Sequence, residues 1–100
     1  GPVVGAMHAD PARRWTLPEL AKLAGMSRST FAERFKQLVG AAPLEYLTRW
    51  RMLVAADRLR NAGENVASVA ASLGYESESA FSTAFKRVMS QPPRRYQRGL

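Results

Sequence analysis

The stretch "GMSRSTFAERFK", residues 25–36, is echoed later in the same chain as "GYESESAFSTAFK", residues 74–86. In the first copy Gly25 is suited to a left-handed helix end, and Ser27, two residues on, is suited to capping a new helix. Phe31 and Phe35 then fall on one side of that helix, four residues apart. The spacing predicts a helix, a tight turn and a second helix. Working outward, "WTLPEL" supplies the start: Thr16 caps, Glu19 completes a capping box, and Trp15 and Leu20 stand as a hydrophobic staple. Pro18 is harmless there, because first-turn amides have no helical acceptor.

Beyond Phe35, Leu38 and Val39 extend the same apolar face, and Gly40 ends the helix. Pro43 at a first-turn position opens a longer helix that closes near Gly63, with Leu44, Leu47, Val54, Ala55 and Leu59 as its stripe. The pattern then restarts. Asn65 caps a short helix whose buried face is Val66, Val69, Ala70 and Leu73, Gly74 ends it, and Ser77 caps the next. No segment alternates with period two over a strand's length, so the fold is expected to be all-α.

Laid on each other, Leu17, Leu20, Ala21 and Gly25 fall on Val66, Val69, Ala70 and Gly74 at an offset of 49. After the turn, Ser27, Phe31, Phe35, Lys36, Pro43 and Tyr46 fall on Ser77, Phe81, Phe85, Lys86, Pro93 and Tyr96 at an offset of 50. The second turn therefore holds one extra residue. Agreement at cap, core and terminator positions marks a duplicated unit. The expected organisation is an N-terminal segment over 1–15, a first helix-turn-helix over 16–42, a connecting helix over 43–62, and a second helix-turn-helix with a basic tail over 63–100.

Composition narrows the function. Fifteen Lys and Arg against eight Asp and Glu leave a net charge of +7 on 100 residues, which points to an anionic partner. The absence of cysteine excludes a disulfide framework, a thiol nucleophile and a zinc-thiolate site, and a reducing cytoplasm is the expected compartment. The start has neither the basic flank nor the long apolar run of a signal peptide, and no run is long enough to span a membrane. Gly1 and Pro2 have the form of a tag-cleavage remnant, and the abrupt start points to a piece of a longer protein. His8 has no Cys or second His beside it and reads as a surface residue, so no metal and no cofactor are expected. Trp15, Trp50, Tyr46, Tyr75 and Tyr96 fall at helix seams and read as core rather than as base-stacking platforms.

Helix-turn-helix pairs commonly place their second helix in the major groove of duplex DNA, although many are only packing motifs, and here two such pairs flank a connector in a basic chain. About 18 residues of connector span ~27 Å, and with the flanking helices this approaches the ~34 Å turn of DNA. A rod of that length sets two reading helices into successive grooves on one face, and direct repeats on one chain call for a tandem site.

From about Pro11 to Arg98 the residues resemble the C-terminal DNA-binding domain of AraC/XylS-type bacterial transcription regulators. The likeness lies in "TLPELAKLAGMSRSTFAERFKQLVGAAPLEYLTRWRM" and above all in "VASVAASLGYESESAFSTAFKRVMSQPPRRYQR". One departure is Ser90, where glycine is commoner, so a different cap is expected there. The resemblance implies seven helices, two helix-turn-helix subdomains joined by a long helix, and sequence-specific binding of double-stranded DNA. It also implies transcription activation through RNA polymerase, with effector and dimerisation functions in a separate N-terminal domain. The isolated domain is then a monomer, and the full-length protein a dimer through that domain.

With Phe31 inward, 100° per residue turns Ser29, Ala32, Glu33 and Lys36 outward, and the same arithmetic from Phe81 exposes Ser79, Ser82, Thr83 and Lys86. In the family these positions read bases, a role carried to Ser29, Ala32, Glu33, Glu78, Ser79, Ser82 and Thr83. Ala32 suits a thymine methyl, while Glu33 and Glu78 suit a cytosine amino group. Arg28, Lys36, Arg49, Arg51, Lys86, Arg94, Arg95 and Arg98 suit phosphates, as do the amides that open helices at Thr16 and Asn65. An enzyme is not expected: there is no phosphate loop, no metal-ligand set and no nucleophile beside the single His. The alternative is a helical module that binds an acidic protein, with DNA irrelevant.

Overall fold

The structure, a computed structural model, describes residues 2–99, so the reading of Gly1 as a tag remnant lies outside the described residues. Seven helices follow one another: α1 Pro2–Ala9, α2 Leu17–Ala24, α3 Arg28–Val39, α4 Pro43–Arg60, α5 Val66–Ser72, α6 Glu78–Met89 and α7 Pro93–Arg98. No strand occurs among the described residues. Most of these helices are too short to persist alone in water, so packing of their apolar faces must hold them. The molecule is a rod, 43 × 21 × 21 Å.

Local signals set the boundaries. Thr16 and Glu19 form the reciprocal capping box, and Gly25 ends α2 at φ 69°. Ser27, Asn65 and Ser77 each accept from the backbone N–H three residues on. Ser90 corrects the expectation of a different cap: it adopts φ 69°, and its N–H donates to the Lys86 carbonyl as that of Gly40 does to Lys36. It is the one non-glycine residue with positive φ among those described. A side chain pays roughly 1–2 kcal/mol for that conformation.

Two buried clusters form. The first gathers Val3, Met7, Leu20, Ala21, Phe31, Phe35 and Leu47, with Trp15 and Tyr46 against it. The second gathers Met52, Ala55, Ala56, Leu59, Val66, Val69, Ala70, Leu73, Phe81 and Phe85, with Tyr75 and Tyr96 against it. Because α4 serves both, it has no single stripe: Leu47 faces the first cluster, while Met52, Ala55, Ala56 and Leu59 face the second. Leu44 is correspondingly exposed, and Val54 is only partly buried. Leu38 is a second correction. The last turn of α3 reaches past its neighbours, leaving Leu38 87% exposed beside Leu23, Val39 and the start of α1 in an open apolar groove.

His8 is a third. Its ring stacks on Trp50 with centroids 3.9 Å apart, and its Nε2 lies 2.7 Å from the Tyr46 hydroxyl, so it staples α1 to α4 instead of standing free at the surface. Trp15, Trp50, Tyr46, Tyr75 and Tyr96 all sit at helix seams, partly buried.

Candidate nucleic-acid interface

Each unit anchors its second helix by two phenylalanines and a tyrosine. Phe31 and Phe35 lie 5.7 Å apart, with Tyr46 edge-on to Phe35; Phe81 and Phe85 repeat this, with Tyr96 edge-on to Phe85. Anchoring one side of a helix fixes which side meets solvent. On α3 that outward side carries Ser29 and Glu33, both exposed, and Ala32, partly exposed. On α6 it carries Ser79 and Thr83, exposed, and Ser82 and Glu78, partly exposed. Arg28, Lys36 and Lys86 border these faces and are exposed.

Ion pairs sort the cations in a way that counting them did not. Arg94 donates to Glu78 at 2.6 Å, so a candidate phosphate ligand and a candidate base reader hold each other. Both sides are largely solvated, and such a pair contributes only ~0–1 kcal/mol, so DNA would separate them at little cost. Glu45 takes Arg87 at 2.9 Å and Arg49 at 3.5 Å; Arg87 above all holds its carboxyl below the usual carboxylate range. Asn65, Arg94 and Arg98 line one shallow cleft where α5 meets α7, and Arg95 is exposed beside it in sequence.

Two expected phosphate ligands are otherwise engaged. Arg51 donates from Nε to the Pro11 carbonyl at 2.5 Å and from a terminal nitrogen to the Arg13 carbonyl at 2.7 Å. Burial pulls its pKa down and pushes that of the neighbouring Tyr75 up, as expected for a guanidinium and a phenol packed into a seam. At Thr16 the backbone N–H donates to Glu19 at 3.1 Å, and Arg13 pairs with the same carboxylate at 2.7 Å. A carboxylate already sits where a phosphate would have to come. The engagement of Thr16 follows from the capping box already legible in the sequence, whereas that of Arg51 does not, since its partners are backbone carbonyls some 40 residues away.

The comparisons with known proteins agree with this geometry. A family described as "Helix-turn-helix domain" matches residues 20–99. A putative AraC-like transcription regulator of Streptomyces lividans is 56% identical over 92 residues, 92% of this chain and 30% of that protein. The HTH-type transcriptional regulator AlkR of Acinetobacter baylyi is 42% identical over 94 residues, 94% of this chain and 31% of that protein. The chain thus spans less than a third of the length of these curated relatives. The crystal structure of the DNA-binding domain of AdpA, a global transcriptional factor, in complex with a target DNA aligns with a TM-score of 0.89 at 33% identity, covering 97% of this chain and 87% of that one. None of the described helices is long and apolar enough to cross a membrane. With its duplicated, solvent-facing second helices and a family match over four-fifths of its length, the chain belongs to the AraC-type helix-turn-helix DNA-binding domains.

Proposed function

We propose that this domain binds double-stranded DNA sequence-specifically, inserting α3 and α6 into successive major grooves, as the DNA-reading part of a transcription regulator. The observation that carries this is the pair of equivalent helices, each anchored by two buried phenylalanines and each turning an opposite face with mostly short side chains outward. Short side chains read bases only when the backbone comes close, which a helix seated in the groove achieves. Ser29, Ala32 and Glu33 read one segment; Ser79, Ser82 and Thr83 read the other, joined by Glu78 once Arg94 turns to a phosphate.

Arg28, Lys36, Lys86, Arg95 and Arg98 hold the backbone, with Asn65 opening α5 beside them and Arg49 at the connector. Arg51 and Thr16 leave the set for the reasons given above. Activation through RNA polymerase, action as a monomer when isolated and dimerisation of a longer protein follow from family membership, and reporter transcription and analytical sedimentation test them separately.

A selection from random duplexes, followed by binding titrations in rising salt, tests the reading. Lys36→Ala and Arg95→Ala should each weaken binding to every sequence alike and lower the salt slope by ~1, since a phosphate contact releases a counterion without reading a base. No enriched sequence, or tighter binding to an acidic polypeptide than to duplex, would favour the protein-interaction module instead.

A further inference from the structure

Residues 10–15, between α1 and α2, form a folded strap that crosses from the first unit to the second. It is internally braced: the Arg13 N–H donates to the Asp10 carbonyl at 3.3 Å, the Trp15 N–H to the Arg13 carbonyl at 2.9 Å, and the Trp15 indole to the Asp10 carbonyl at 3.0 Å. The fork of Arg51 on α4 grips the Pro11 and Arg13 carbonyls. Between them, the Ala12 carbonyl is pressed against the turn of the second unit. A Cβ built at Gly74 would overlap its oxygen and stand 3.3 Å from its carbon. Arg14 reaches across to Glu76 at 2.5 Å.

The duplication supplies the control. At Gly25, the matching turn of the first unit, an added Cβ meets nothing within 4 Å. Glu76 falls at the extra position that the second turn has and the first lacks. Both features that set the second turn apart therefore meet the strap. An exposed pair such as Arg14 with Glu76 is weak alone, but a half-buried guanidinium satisfying two carbonyls has a planar geometry that a lysine does not reproduce.

We propose that the strap locks the two units in one relative orientation and so sets the spacing and helical phase of the two groove segments the domain accepts, with Arg51 as the positioning residue. The inference rests on the DNA-binding reading. Linked binding gains affinity only where geometry lets both modules engage, and each inserted base pair turns the second segment by roughly a tenth of a turn. A rigid link is therefore intolerant of insertions, and a loose one forgives them.

The test uses duplexes recovered by selection, with and without one inserted base pair between the segments, and a duplex keeping only the first segment. The parent should lose ~30-fold on insertion, whereas folded Arg51→Lys should lose ~3-fold or less and bind the single-segment duplex within ~2-fold of the parent. Gly25→Ala, strained but without the overlap, should keep the parental insertion profile, while Gly74→Ala should follow Arg51→Lys. Because the chain has no cysteine, spin labels at Gln37→Cys and Ala67→Cys, both exposed, report the separation of the units and its spread directly. Their distance distribution should broaden in Arg51→Lys. An unchanged insertion profile, or an unchanged label distribution, in folded Arg51→Lys would overturn the proposal. Failure of the parent to bind any duplex would instead defeat the DNA-binding reading and the spacing claim with it, and the labels would still show whether the strap holds the units.

Discussion

Phe81 and Phe85 are wholly out of water, whereas Phe31 and Phe35 at the matching positions of the first unit keep 4% and 7% of their surface exposed. The second unit closes over its pair with Tyr75, Tyr96 and the end of α4, and α7 is tied down by Gln97, whose side-chain amide donates to the Leu59 and Glu64 carbonyls. The first relies on the short α1 and leaves the end of α3 overhanging an open apolar groove. One sequence plan thus yields two different degrees of enclosure. What differs is the neighbours each copy meets: the same cap and core residues define a helix pair, and tertiary contacts decide how well it is sealed.

The sharpest way to break this comparison is to empty both cores. Phe85→Ala should cost ~4–5 kcal/mol and Phe35→Ala ~3 kcal/mol, because the better-enclosed site has less room to collapse around the cavity. Urea unfolding of the two variants measures the difference, and equal costs would mean that enclosure does not distinguish the units.

The turn glycines come next. Gly25→Ala should destabilise by ~1–2 kcal/mol for left-handed strain alone, while Gly74→Ala adds ~1–3 kcal/mol for the overlap with the Ala12 backbone. Thermal melting of the pair checks this; matching losses would mean that the strap yields without cost.

The smallest contrast is at the ends of the second helices, where Gly40 and Ser90 share one conformation. Ser90→Gly should raise stability by ~1 kcal/mol, and Gly40→Ser should lower it by a similar amount. Opposite shifts of the two melting curves are the expected readout.

Much of this architecture is legible in the sequence. The caps at Thr16, Ser27, Asn65 and Ser77, the left-handed Gly25, and the buried Val66, Val69, Ala70 and Leu73 all follow from local rules of helix start, stop and period. The outward faces of α3 and α6 followed from the same 100° arithmetic. Apart from Ser90 and Thr16, whose partners are local, the expectations that failed turned on elements distant in sequence. Leu38 carries the right spacing for burial, yet no neighbouring helix reaches it. His8 found Tyr46 and Trp50 on another helix, and Arg51 found two carbonyls of the strap. A sequence displays how many cations it has; only the fold shows which are already engaged. The extra residue of the second turn was visible from the change of offset, but its partner Arg14, 62 residues away, was not.

The most direct test of the central claim, that both units read DNA from one face, is a footprint of the isolated domain on a selected duplex. Protection from hydroxyl radicals combined with major-groove methylation interference should reveal two segments about one helical turn, ~34 Å, apart on the same face. Protection of a single segment, or of two segments on opposite faces, would contradict the account.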